Sequence, residues 1–205
     1  MFALVQDNTI TKTLSGNRGI TLGDIQYPQN IFTLWSAAEK EAIGIYEVVF
    51  DNTNKKDEAY YTNTNQSFAF AGGKVTASYG SATAKSLTDT LFTAQDEIDG
   101  KGTEGEVAAR GLKFNHKEII KQQASGLLTP TDWYVIKATD VESYSVPSAI
   151  TTYRANVRTK SNDMEVLIDA CSTVDELAAL YQYVNTGTEE NPVMERPLGE
   201  FPEAV

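Results

Sequence analysis

Residues 66–79 read "QSFAFAGGKVTASY". Alternating apolar and small or polar residues on either side of Gly72–Gly73 are the pattern of a β-hairpin closed by a two-residue turn, because glycine accepts the positive φ angles that tight hairpins demand. The register that follows sets Phe70 opposite Val75, Phe68 opposite Ala77 and Gln66 opposite Tyr79, so Phe68, Phe70, Val75 and Tyr79 share one face. A small sheet must bury one face to be stable, so these rings are expected in a core.

Working outward, "EAYYTNTN" (58–65) and "IYEVVF" (45–50) extend the hairpin into an expected three-stranded antiparallel meander over 45–80. Before it, Ser36 and Glu39 form a capping box that opens a short helix, and Gly44 occupies the position where a left-handed residue ends one. "MFALVQ", "NTITKTL", "GITLGDIQYP" and "NIFTLW" read as further strands, with turns near Ser15–Gly16 and Pro28.

Beyond residue 84 the pattern weakens. "TDTLFTAQDEI" (88–98) has a short helical period, and "DGKGTEGE" (99–106) is Gly-rich and charged, so residues 85–113 read as a linker with a possible short helix. Apolar spacing then becomes helical over 116–128, again over 148–158, over "NDMEVLIDAC" (162–171) and over "TVDELAALYQYV" (173–184), where Thr173 and Glu176 make a second capping box. Pro130 stops the first of these. The last segment, 185–205, carries five glutamates and three prolines and is expected to be disordered or to lie extended along a partner, with Val193, Met194 and Leu198 able to dock.

The expected fold class is α+β: a small antiparallel β-rich N-terminal domain (1–84), the 85–113 linker, a compact bundle of short helices (114–185) and an extended acidic tail (186–205). Seventeen Lys+Arg against 28 Asp+Glu give a net charge of −11, which leaves no basic footprint for nucleic acid or an anionic membrane. No stretch approaches the roughly 18 apolar residues of a membrane helix, and no signal peptide is visible.

Chemistry is hard to find. Phosphate-loop, dinucleotide, zinc-protease and nucleophile-elbow motifs are all missing. One cysteine and one histidine cannot assemble a thiol or zinc site, so Cys171 is expected as a small buried residue and His116, after Asn115 in "KFNHKEIIK", as an exposed residue of a helical first turn. Residues 51–58, "DNTNKKDE", resemble a calcium loop only superficially, with lysine where its sixth-position glycine belongs. No catalytic, metal or cofactor-binding residue is assigned, and an enzyme is not expected.

Two stretches carry a resemblance. "YPQNIFTLWSAAEKEAIGIYEVV" (27–49) resembles a recurrent segment of tailed-bacteriophage tail proteins. "LLTPTDWYVIKATD…VPSAITTYRANVR" (127–158) resembles a TDW…YR…R pattern of phage tail-fibre proteins and tail-fibre assembly chaperones, and 161–181 looks like its continuation. The 99–116 segment departs from that pattern.

The resemblance implies a structural component of a virion tail, in the baseplate or tail-fibre region. Such a protein is made in the host bacterial cytoplasm, binds other tail or fibre proteins and forms trimers or rings. An assembly chaperone lost from the mature particle and a carbohydrate-binding host-recognition module using Tyr60, Tyr61, Phe68 or Tyr79 stay open as alternatives. Candidate partner-binding residues are Trp133, Tyr134, Tyr153, Arg154 and Arg158. Within that set, Trp133, with Val135 and Ile136, is expected mainly as core, and the two arginines are expected to meet Asp163, Glu165 or tail glutamates.

Overall fold

The computed structural model describes residues 1–205 and has the expected α+β class, with a curled, mainly antiparallel sheet first and helices after it. The chain divides into two compact units, Met1–Thr83 and Ala84–Val205.

The N-terminal unit contains β1 (Phe2–Gln6), β2 (Thr9–Leu14), β3 (Ile20–Leu22), β4 (Ile25–Tyr27), α1 (Ile31–Leu34), α2 (Ala37–Glu41), β5 (Ile45–Asp51), β6 (Tyr61–Thr62), β7 (Ser67–Ala71) and β8 (Lys74–Ser78); β9 (Thr83–Ala84) follows. Five strands form one sheet in the order β2-β1-β5-β8-β7. The β7–β8 hairpin has the register its sequence dictates, Phe70 facing Val75 and Phe68 facing Ala77. Its turn glycines take φ values of 57° and 74°. The expected meander is not formed: β5 pairs with β8 in parallel, and β6 pairs with β9 instead of joining the sheet. The 15 residues between β5 and β7 permit that crossover, whereas a meander needs only a tight turn.

One sheet face buries Ala3, Val5, Val48, Val75 and Ala77, with Tyr46, Phe68 and Phe70 packed against them. The other buries Leu4, Ile31, Phe32 and Ile45 beneath α1, α2 and the β3–β4 hairpin. "NIFTLW" is thus helical and not a strand. Its Ile31 and Phe32 are buried, while the interposed Thr33 and Leu34 are exposed, a one-sided pattern that a helical turn delivers. The Ser36–Glu39 capping box is present, and Gly44, at φ 79°, lies so close to β1 that a Cβ would come 2.6 Å from the Val5 carbonyl oxygen.

In the C-terminal unit, β10 (Thr90–Leu91), α3 (Ala94–Ile98) and β11 (Val107–Ala109) occupy the segment expected as linker. It is knit to the next helix: Asp89 accepts hydrogen bonds from the Gly111 amide at 2.8 Å and from Arg110 at 2.6 Å. These bonds hold the Asp89 carboxyl below its ordinary value. Then come α4 (Leu112–Leu128), a 3-10 turn at Thr129–Thr131, α5 (Asp132–Asp140), α6 (Ser148–Ala170), α7 (Val174–Ala179), β12 (Val184–Asn185) and β13 (Met194–Glu195).

The segments 148–158 and 162–171 join in one continuous 23-residue helix, because Thr159, Lys160 and Ser161 between them include no breaker and Ser161 is buried. α4 and α6 run antiparallel, tied by Lys117–Asp169 at 2.8 Å and packed through Ala124, Tyr153 and Val157. α4 begins at Leu112 behind Gly111, four residues earlier than the sequence suggests, so His116 is an interior residue and not an exposed cap neighbour. It is half-buried, and its Nδ1 lies 2.8 Å from the Tyr181 hydroxyl.

The acidic tail is extended but not loose. β12 and β13 pair antiparallel, the Leu198 amide donates to the Leu180 carbonyl at 3.0 Å, Leu198 is fully buried, and Phe201 packs on the Ala124–Tyr153–Val157 cluster. One leucine and one phenylalanine at suitable spacing outweigh the polar composition around them. Val193 and Met194 remain exposed.

Candidate interaction site

The five candidate residues fall into two groups with opposite environments. Pro130 in the 3-10 turn ends α4 and sends the chain into α5 at a corner spanning Leu127–Asp132. Tyr153 and Arg154, on the facing side of α6, hold that corner. The Tyr153 hydroxyl donates to the Leu127 carbonyl at 3.3 Å, and the Arg154 guanidinium donates to the Leu128 carbonyl at 2.9 Å and to the Thr131 hydroxyl oxygen at 2.6 Å. It also forms an ion pair with Asp132 at 2.8 Å.

Arg154 is 9% exposed, and the planar guanidinium suits such a site because it distributes several donors in fixed directions to three different acceptors. Its partner is therefore Asp132 and not Asp163, Glu165 or a tail glutamate. Asp132 is the nearer carboxylate because the corner folds it back over α6, which sequence separation alone conceals. Glu165 instead faces Lys121 at 3.8 Å. Arg158, one turn along α6, is exposed and reaches only the Arg154 carbonyl, at 3.3 Å.

Trp133 and Tyr134 lie on α5 itself. None of the residues of α5 is fully buried. Trp133 is 50% exposed and Ile136 61%, with Val135 and Val141 also exposed, so the expectation of a core Trp133 is corrected. The physical reason is that α5 is fastened at its start by Arg154 and needs no apolar face of its own to stay in place. The Trp133 ring stacks on Tyr134, centroids 3.7 Å apart, and Lys137 places its ammonium over Trp133 and over Tyr144. The result is a raised aromatic and aliphatic surface with a cation at its edge.

The structure thus brings Thr131, Asp132, Tyr153 and Arg154 together as a clamp, and sets Trp133 apart from them. Lys137 and Val141 belong to the exposed surface, with the partly buried Tyr144 at its edge, and were not singled out in the sequence; "DWYVIKATDVESY" offers the hint, being apolar on too many sides for a helix with one buried stripe.

No group of three or more His, Cys, Asp or Glu side chains converges where a metal ion would fit, and no helix is long and apolar enough to cross a membrane. Cys171 is buried beside α6, and burial pushes its thiol above the ordinary value. Tyr60 and Tyr61 are buried and Phe68 packs on the sheet core, so these rings do not make a flat exposed platform. Comparison with protein-family models, with curated proteins and with solved structures finds no match.

Proposed function

We propose that this protein is a non-enzymatic structural component of a bacteriophage tail, in the baseplate or fibre region, that works through protein–protein interfaces as one of several copies. The observation that carries the interface part of this reading is the exposed Trp133–Ile136 surface on a helix held by the buried Arg154 clamp. Aromatic side chains on a fixed scaffold lose little conformational freedom on binding, and tryptophan and tyrosine are enriched among the residues that dominate interface energies. A stable interface removes about 1,600 Å² from water, so α5 would be the centre of a larger patch. The phage assignment rests on the resemblance of residues 27–49 and 127–158 to tail proteins.

Quantitative mass spectrometry of purified particles and of infected-cell lysate tests the reading. A tail component persists in particles at fixed copy number. Recovery from lysate alone would replace it with the assembly chaperone, and recovery from neither would remove the tail role.

A further inference from the structure

We propose that the N-terminal unit carries a binding cleft for a small phosphate monoester. A cavity of about 570 Å³ opens where the end of β2, the loop 15–19 and β3 meet above Phe32 of α1. This volume lies within the ~300–1,000 Å³ of small-molecule sites. Lys12 and Arg18 line it, and no aspartate or glutamate does.

In this chain of net charge −11 several other cations meet carboxylates, as Arg110 meets Asp89, Lys117 meets Asp169, Arg154 meets Asp132 and Arg196 meets Glu200, while Arg158 and Lys137 do not. Neither Lys12 nor Arg18 has such a partner, nor any other hydrogen bond or ring contact to its side chain. Two cations that line one cleft without internal neutralisation set up a local positive potential that an anion relieves. A dianionic phosphate matches two positive charges, and a guanidinium can engage two of its oxygens at once. Thr13, Ser15 and Thr21 also line the cleft, and Phe32, Leu14 and Ile20 are its apolar members, against which a carbon skeleton can rest.

The wall that presents Arg18 is held at both ends by glycines in close approach. A Cβ at Gly16, which has φ 75°, would lie 2.9 Å from the Phe2 ring, and one at Gly19 would lie 2.7 Å from the Tyr27 carbonyl oxygen. Arg18 is therefore carried on a short span fixed against the sheet and the β3–β4 hairpin. Nucleic acid is a poor occupant, since the rest of this acidic chain repels an extended polyanion. A free small phosphate ester fits one cleft and meets no such repulsion along its length.

The test is a titration of the full chain, followed by amide chemical shifts, with ribose 5-phosphate, inorganic phosphate, acetate and unphosphorylated ribose. Saturable shifts confined to residues 12–21 and 32 are expected with the two phosphates only. Arg18→Ala and Lys12→Ala should each weaken ribose 5-phosphate at least ~10-fold, the worth of a charge-assisted contact, while leaving the unfolding midpoint in place. Absence of saturable shifts overturns the proposal, as does undiminished binding by both variants. Equal binding of ribose or of acetate overturns the assignment of phosphate.

Discussion

Two aromatic clusters of this protein have opposite fates. On the β7–β8 hairpin, Phe68 and Phe70 turn inward, and Phe70 meets Tyr46 edge-on at 4.8 Å within the sheet core. On α5, Trp133 faces outward with its ring tilted against that of the partly buried Tyr134. The hairpin, joined to β5 through β8, gains stability by burying one face of the sheet, so its rings go in. The helix is held by a polar clamp at one end, so its rings are left over. Aromatic density therefore does not distinguish core from surface; what holds the element in place does.

The contrast can be broken or sharpened by substitution. The largest effect is expected where a fully buried apolar side chain anchors an otherwise polar segment. Leu198→Ala should cost about 3 kcal/mol, as for other fully buried leucines, and should release the 184–205 tail to rapid amide exchange. A tail that was loose in solution would show protection changes nowhere and a cost near zero.

Next comes the clamp. Arg154→Ala removes the guanidinium donor from the Leu128 carbonyl, which keeps the Thr131 hydroxyl at 2.7 Å, and from the Thr131 hydroxyl oxygen, and the expected cost is about 2 kcal/mol, moderated because Asp132 remains half-exposed to water. Exchange should accelerate first in α5. Loss of protection spread evenly over the unit would mean that α5 is held by something other than Arg154.

A smaller effect concerns pH. Burial lowers the His116 pKa below 6.5, so the unfolded chain takes up the proton first as pH falls. The stability contributed by neutral His116 is complete above about 6.5, the unfolded value, and is lost as pH falls through the lower folded value. Denaturation midpoints measured from pH 7.5 to 5 should therefore fall less in His116→Gln than in the parent chain. Parallel pH profiles would show that His116 is not the group responsible.

Much of the fold was legible residue by residue. Gly72–Gly73, the Ser36–Glu39 and Thr173–Glu176 boxes and Gly44 act locally, through positive φ or cap hydrogen bonds, and the structure realises each of them. Long-range choices were not legible. The parallel β5–β8 pairing, the docking of Leu198 and the Asp132–Arg154 ion pair join residues whose local sequences are compatible with several partners. The candidate site was half-visible for the same reason. TDW and YR mark two pieces of one clamp, yet nothing local reveals that Arg154 chooses Asp132 or that Trp133 is thereby freed. The cleft at Lys12 and Arg18 gave no motif at all, since its character comes from the absence of carboxylates around it.

The central claim is that the α5 surface serves association and not folding. It is tested by measuring thermal unfolding and particle incorporation together for the double variant Trp133→Ser, Ile136→Ser. The expected result is a stability change below about 1 kcal/mol, the loss of little more than the Trp133–Tyr134 stack, with incorporation into tails abolished. A variant that unfolds several kcal/mol more easily yet still enters particles at the normal copy number would contradict the account.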